Sequence, residues 1–82
     1  MVTVAFTEEF KEIFLKIKDD LLKEKILKQI EKMKINPEVG KPMRHNRKGT
    51  RELYIKPFRL SYEYFKSENH IFILDLYHKK KQ

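Results

Sequence analysis

Hydrophobic and polar positions follow two different periods along this chain. In the first half, apolar residues recur every three or four positions, the spacing of a buried helical face: Phe10, Ile13, Phe14 and Ile17, then Leu22, Ile26, Ile30 and Met33, with Leu27 widening the second stripe. In the second half, apolar positions recur with a period near two, which is typical of strands. The pattern therefore predicts two helices followed by a sheet.

The boundaries of the helices are marked by polar residues. Thr7 is a suitable N-cap, and Glu8 and Glu9 follow where the helix dipole favours acidic side chains. The pair Asp19-Asp20 interrupts the apolar stripe, and Asn36-Pro37 ends it because proline disfavours helix for the residue before it. We therefore expect a helical hairpin, with one long helix kinked at Asp19-Asp20 as the alternative.

Four strands are predicted, at residues 2–6, 51–56, 58–65 and 70–77. In the third strand, Phe58, Leu60, Tyr62 and Tyr64 share one face, while Arg59, Ser61 and Glu63 share the other. In the second, Leu53 and Ile55 take the buried face. The fourth is apolar on both faces, with Ile71 and Ile73 opposed to Phe72, Leu74 and Leu76. Such a strand is covered on both sides or leaves one side for a partner.

The resulting order is β-α-α-β-β-β, an α+β fold within a single domain at residues 1–82. The helical hairpin is expected to pack on one face of a mostly antiparallel four-stranded sheet. The place of the first strand in that sheet does not follow from the sequence. Residues 36–50 are predicted to form a loop.

The formal charge is +7, and its distribution along the chain is uneven. Lysines and acids nearly balance in the helices, whereas Glu52 is the single acid among the many cations of residues 41–59. This excess favours a polyanionic partner, with a merely solvated basic surface as the alternative. The chain has no cysteine and no apolar run of roughly 18–20 residues, so we expect a cytoplasmic protein without disulfides, metal or cofactor.

Several segments follow one another in a fixed order along the second half of the chain: Gly40-Lys41-Pro42-Met43-Arg44-His45-Asn46, Gly49, Glu52-Leu53-Tyr54-Ile55, Phe58-Arg59-Leu60-Ser61-Tyr62 and Ile73-Leu74-Asp75-Leu76-Tyr77-His78-Lys79. Together they resemble the RelE/ParE superfamily of toxins, most closely its RelE and YoeB branches. The resemblance implies a ribosome-dependent messenger-RNA endoribonuclease that inhibits translation. It further implies a cognate antitoxin, a toxin–antitoxin complex of higher order, and metal-free attack of the ribose 2′-hydroxyl on phosphorus.

The resemblance also implies site residues. Arg59 matches the arginine that holds the scissile phosphate, and its planar fork suits two phosphate oxygens. An ion pair with Glu63 is the alternative. His78 matches the general acid of YoeB-like toxins, and the alternative is a strand-end histidine without a role. Strict alternation places His78 away from Arg59, so the acid role requires the strand to end or bulge near Tyr77.

The chain departs from both branches at other positions. Lys41 stands where YoeB-like toxins have a glutamate base, and Lys79 replaces their terminal tyrosine. Lys41, Lys56 and Lys79 are candidates to supply charge, and Glu52 or a lysine is the candidate base. Contacts to RNA are expected from Arg44, His45, Arg47, Lys48, Arg51, Tyr54, Lys80 and Lys81. His70 is expected to be an ordinary strand residue.

Two other functions remain open at this point. The incomplete catalytic set allows a DNA gyrase inhibitor of the ParE kind. The doubly apolar last strand and the basic surface also allow a catalytically impaired member of the family that acts mainly by binding its antitoxin.

Overall fold

The computed structural model describes residues 2–43 and 49–78. The elements are β1 (Thr3–Phe6), α1 (Glu8–Lys16), α2 (Asp20–Ile35), β2 (Lys41–Pro42), β3 (Thr50–Ile55), β4 (Phe58–Phe65), a single 3₁₀ turn (Lys66–Glu68) and β5 (His70–His78). The α+β prediction is confirmed, with one strand more than expected. The additional strand, β2, lies within the segment predicted to be a loop.

The five strands form one sheet in the order β1-β5-β4-β3-β2. β1 runs parallel to β5 at one edge, which fixes the position that the sequence left open. The other neighbours are antiparallel, and β2 forms the opposite edge by pairing Lys41 with Glu52. The loop between β2 and β3 falls partly outside the described residues.

The helix boundaries follow the predicted caps. The Thr7 hydroxyl accepts a hydrogen bond from the Phe10 amide at 3.1 Å and donates one to the Leu74 carbonyl at 2.6 Å. Asp19 caps α2 by accepting from the Leu21 amide at 3.0 Å, so two separate helices form rather than one kinked helix. Among the described residues, no helix has the length and apolar character of a membrane span.

Both helices contribute to a core on one face of the sheet, here called the helix face. Its buried apolar residues are Val2, Phe10, Ile26, Ile30, Met33, Ile55, Leu60, Tyr62, Ile71, Ile73 and Leu76. Leu27 is 52% exposed, so the expectation that it widens the buried stripe of α2 is wrong. The opposite face, here called the open face, carries Arg59, Ser61 and Glu63 of β4, as predicted.

A β-bulge changes which residues of β5 reach the core. Ser61 of β4 pairs with Asp75, but the next residue, Tyr62, pairs with Ile73, so Leu74 is the extra residue. Beyond this bulge the alternation is shifted by one position. Leu76 therefore joins Ile73 in the core, and Phe72 lies on the open face. The predicted grouping of Leu76 with Phe72 is wrong for this reason.

Candidate active site

The central feature of the open face is an ion pair between two neighbouring strands. Arg59 Nη1 lies 3.0 Å from Glu52 Oε1 and donates a hydrogen bond to it. Glu52 stands opposite Ser61, which lies two positions along β4 from Arg59, so Glu52 is a diagonal neighbour of Arg59. The side chain of Glu52 is 4% exposed and that of Arg59 is 30% exposed. The pair is therefore held at the floor of the sheet face.

The acidic partner of Arg59 is Glu52 and not Glu63, the alternative that the sequence suggested. Residues Arg59 and Glu63 share a face but lie four positions apart in one strand, which is about 13 Å at the strand rise. That distance separates the two backbone positions, and the guanidinium of Arg59 is turned to the neighbouring strand instead. The cross-strand carboxylate of Glu52 is within ion-pair distance, and Arg59 uses it.

One N–H group of the Arg59 side chain makes no hydrogen bond to the described residues. Arg59 Nε is buried and has no hydrogen-bond partner among the described residues. A buried donor without a partner costs about 1–3 kcal/mol, so it is rarely retained without a reason.

Arg59 and Glu52 line a hollow of about 270 Å³ together with Lys41, Met43 and Tyr54. Lys41 enters it from β2, directly opposite Glu52, and Tyr54 stands opposite Arg59 in the β3–β4 register. Two cations thus flank one carboxylate, with a phenol ring at the side. The hollow unites four of the residues that the sequence singled out.

The carboxylate of Glu52 is better suited to orienting Arg59 than to accepting a proton from substrate. It is almost fully buried and already bonded to the guanidinium. A general base must come within about 2.6–3.2 Å of the proton that it takes. The structure therefore shows Glu52 holding the guanidinium of Arg59, and its predicted role as base stays a prediction.

The segment that leads to Lys41 is fixed from the helix face. The buried Tyr62 hydroxyl accepts a hydrogen bond from the Gly40 amide at 2.8 Å and donates one to the Pro37 carbonyl at 2.9 Å. Burial raises the pKa of Tyr62, and the bond from the Gly40 amide opposes that rise. A Cβ at Gly40 would lie 2.7 Å from the Tyr62 ring, so this close approach requires glycine.

Arg51 belongs to this anchor rather than to the hollow. Its Nη1 donates to the Gly40 carbonyl at 2.8 Å and to the Glu38 carbonyl at 3.1 Å. Its Nη2 lies 3.6 Å from the Glu38 carboxylate. Arg51 therefore holds the chain between α2 and β2, and its expected contact with RNA remains a prediction.

His78 does not meet Arg59 in this structure. β5 continues through His78, which pairs with Phe58 on the helix face, and their ring centroids are 5.6 Å apart in an edge-on contact. The bulge occurs at Leu74 rather than near Tyr77, so the condition stated for an acid role is not met. Tyr77 pairs with Arg59 and takes the open-face position instead.

The remaining candidates lie outside the hollow or outside the described residues. Lys56 is exposed in the turn between β3 and β4 and does not line the hollow. Seven of the basic candidates fall on residues that the structure does not describe: Arg44, His45, Arg47, Lys48, Lys79, Lys80 and Lys81. Within residues 2–43 and 49–78, no three His, Asp or Glu side chains form a metal-ligand group.

Comparison with known proteins decides the family. The family model of the "ParE toxin of type II toxin-antitoxin system, parDE" matches residues 1–82 of the chain. The chain belongs to this family of toxins. The resemblance to the RelE/ParE superfamily is thereby confirmed, and the protein is a toxin of the type II toxin–antitoxin class. No curated protein sequence matches the chain.

Solved structures of the same superfamily share the fold of this toxin. A YoeB/ParE toxin from Agrobacterium tumefaciens superimposes with a TM-score of 0.84 at 18% identity, covering 94% of this chain and 98% of the other. The toxin in the intact RelBE complex of E. coli gives 0.80 at 12% identity, covering 95% and 96%. The YoeB–YefM complex of Staphylococcus aureus gives 0.81 at 17% identity, covering 95% and 97%. At these identities, the likeness establishes the fold.

The sequence did not single out two residues that this toxin brings to the site. Met43 lines the hollow because β2 pairs with β3, and a two-residue strand gives no periodic signal. Tyr77 lies beside Arg59 because of the bulge in β5. The available signal for Tyr77 was its place next to His78, because alternation that puts His78 away from Arg59 puts Tyr77 on the same face as Arg59.

Proposed function

We propose that this toxin is a ribosome-dependent endoribonuclease that cleaves messenger RNA through the hollow around Arg59. The observation that carries the proposal is the buried pair between Arg59 and Glu52, which fixes a guanidinium at the floor of a hollow with a second cation, Lys41, beside it. Preorganised cations stabilise a phosphorane without reorganising during the reaction. The hollow therefore suits a phosphodiester.

In the proposed reaction, the ribose 2′-oxygen attacks the adjacent phosphorus and the 5′-oxygen leaves. Arg59 binds the scissile phosphate through the exposed part of its guanidinium. Glu52 positions Arg59 by accepting from Nη1. Lys41 adds positive charge to the developing phosphorane, and Tyr54 offers a ring edge at the side of the hollow.

A cognate antitoxin is the proposed partner that keeps the toxin inactive. The support is the family, together with the similar folds solved in complexes named RelBE and YoeB–YefM. Ribosome and messenger RNA are the proposed targets, and the cytoplasm is the proposed location. The net charge of +7 favours association with ribosomal RNA.

The test is to map transcript ends after expressing the toxin in bacterial cells. The wild type is expected to arrest translation and to leave messenger RNA cut at codons in the ribosomal A site. Arg59→Ala should leave the transcripts intact, and circular dichroism of the variant checks that it folds, because the substitution leaves the buried Glu52 carboxylate without its cation. Intact transcripts with the wild type, accompanied by trapped gyrase–DNA complexes, would replace this proposal by gyrase inhibition.

The same mapping tests the predicted role of His78 separately. His78→Ala removes the imidazole on the helix face and leaves the hollow unchanged. Loss of cleavage in that variant would support the general-acid prediction and would require β5 to rearrange on the ribosome. Cleavage at the rate of the wild type would remove His78 from the site.

A further inference from the structure

The open face carries a second feature, at the end of the sheet away from the hollow. Phe65 and His70 stand opposite each other on β4 and β5, and their ring centroids are 6.4 Å apart with planes 28° apart. The rings of His70 and Phe72 are 6.5 Å apart at 31°. Phe65, His70 and Phe72 are here called the aromatic cluster.

The orientation of the central ring is fixed from the edge strand. Thr3 of β1 pairs with His70 in the parallel register, and the Thr3 hydroxyl lies 2.8 Å from His70 Nδ1 in a hydrogen bond. The three rings are half-buried in their own packing. The cluster is therefore a preformed surface whose rings need little ordering when a ligand binds.

The aromatic cluster and Arg59 share one face of the sheet. Phe65 and Arg59 are six residues apart in β4, an even number, and therefore lie on the same side about 20 Å apart. Both helices pack on the helix face, so neither covers the cluster. The solvated face of an antiparallel sheet is normally polar. A row of rings there indicates a ligand with flat apolar surfaces.

Nucleobases fit this surface better than other ligands do. Sheets that bind single-stranded RNA stack bases on aromatic side chains of the exposed face. The cluster lies on the same face as the hollow, where Arg59 offers a cation for the backbone of the same RNA strand. Glu63, opposite Phe72, repels phosphate but accepts hydrogen bonds from the amino groups of bases. The cluster end therefore suits bases, and the Arg59 end suits phosphate.

We propose that Phe65, His70 and Phe72 form a base-stacking subsite for single-stranded RNA whose backbone is held at Arg59. This inference rests on the proposed function in one respect, that RNA is the substrate of the hollow. It adds a recognition site about 20 Å from Arg59 along β4. It also accounts for the doubly apolar last strand: the core covers one face, and bases cover the other.

The test uses the full-length toxin and a short single-stranded RNA that it cannot cleave. Each ribose carries a 2′-O-methyl group, which removes the attacking hydroxyl, and one base is 2-aminopurine, whose fluorescence falls when it stacks. Phe72→Leu keeps an apolar side chain without a ring, and Phe72→Tyr is the matched control that keeps the ring. Thermal melts followed by circular dichroism establish that each variant is folded.

We expect the wild type and Phe72→Tyr to bind this RNA and to quench the 2-aminopurine. Phe72→Leu should bind at least about fivefold more weakly, which is the lower end of the loss when one base–aromatic stack is removed. Its quenching should fall in parallel. If Phe72→Leu does not fold, Phe65→Leu and Phe65→Tyr form the equivalent pair at the other end of the cluster.

Two results would overturn the subsite: equal binding and quenching in the leucine variant, or equal weakening in the leucine and tyrosine variants. Absence of quenching with the wild type would also overturn it and would leave the cluster to a protein partner. The assay needs neither a ribosome nor cleavage, so it separates the two proposals. If the 2-aminopurine is quenched but cellular transcripts stay intact, the subsite stands and the nuclease proposal fails. If transcripts are cut but the 2-aminopurine is not quenched, the nuclease proposal stands and the subsite fails.

Discussion

Removing the hydroxyl of Tyr62 should loosen the chain segment that carries Lys41 into the hollow. Tyr62 has no exposed surface, and its hydroxyl makes two hydrogen bonds, one from the Gly40 amide and one to the Pro37 carbonyl. Tyr62→Phe would leave the buried Gly40 amide without a partner. Such a donor costs about 1–3 kcal/mol, while water can reach the half-exposed Pro37 carbonyl.

We therefore expect Tyr62→Phe to reduce the free energy of unfolding by about 2 kcal/mol. In a domain of this size, that corresponds to a fall in Tm of about 8–16 °C in a thermal melt. The difference should shrink above about pH 10. Burial raises the pKa of Tyr62, so at such pH the phenol ionises in the unfolded state before it ionises in the folded state. The wild type therefore loses stability as the pH rises, whereas Tyr62→Phe, which has no phenol there, does not.

Tyr64→Phe is the matched control. Tyr64 lies two residues further along β4 on the same face and makes no hydrogen bond within the described residues that would be lost. It should change the free energy of unfolding by less than about 0.5 kcal/mol. Equal Tm values for the Tyr62 and Tyr64 variants would refute the argument that this hydroxyl anchors the segment before β2.

Three further predictions concern other parts of the structure. Gly40→Ala should lower the free energy of unfolding by about 1–3 kcal/mol in urea titrations because its Cβ would clash with the Tyr62 ring, and wild-type stability would contradict that contact. Thr7→Ala should lower the free energy of unfolding by about 1–2 kcal/mol in the same titration, because α1 loses its cap. Thr7→Ser keeps the hydroxyl and should stay close to the wild type. Equal losses of stability in the two variants would exclude the cap. Glu52→Ala should slow RNA cleavage about tenfold or more by releasing Arg59. Glu52→Gln should have an intermediate rate, because its amide oxygen can still accept a hydrogen bond from Arg59. Unchanged rates in both variants would show that Arg59 needs no positioning.

Local sequence signals predicted most of the elements correctly because their causes are local. The apolar stripes set the helices, and the caps at Thr7 and Asp19 set where they begin. Alternation placed Arg59 on the open face, since successive side chains of a strand point to opposite faces and the neighbours Phe58 and Leu60 are apolar. Thus the residue at the centre of the candidate site was found from the sequence.

The features that the sequence missed depend on contacts between distant segments. β2 is a strand only because Lys41 and Pro42 pair with the edge of β3. The bulge at Leu74 carries no glycine or proline, and apolar residues on both sides of it hide the change of face. The sequence grouped His78 with Phe72 on the face away from Arg59, but Phe72 lies on the open face; the bulge between them is what puts His78 on the helix face and Tyr77 on the open face. The pairing of Glu52 with Arg59 likewise depends on the register between β3 and β4, which the sequence does not show.

The most direct test of the central claim is the rate of messenger-RNA cleavage on purified ribosomes, with Arg59→Ala compared with the wild type in single-turnover reactions. Removing a preorganised group that stabilises transition-state charge typically costs about 100-fold or more in rate. Lys28→Ala, which removes one exposed positive charge from α2, is the control for net charge and should cleave like the wild type. We predict that cleavage depends on Arg59 and not on Lys28. Equal cleavage by Arg59→Ala and the wild type would contradict the assignment of the hollow as the active site.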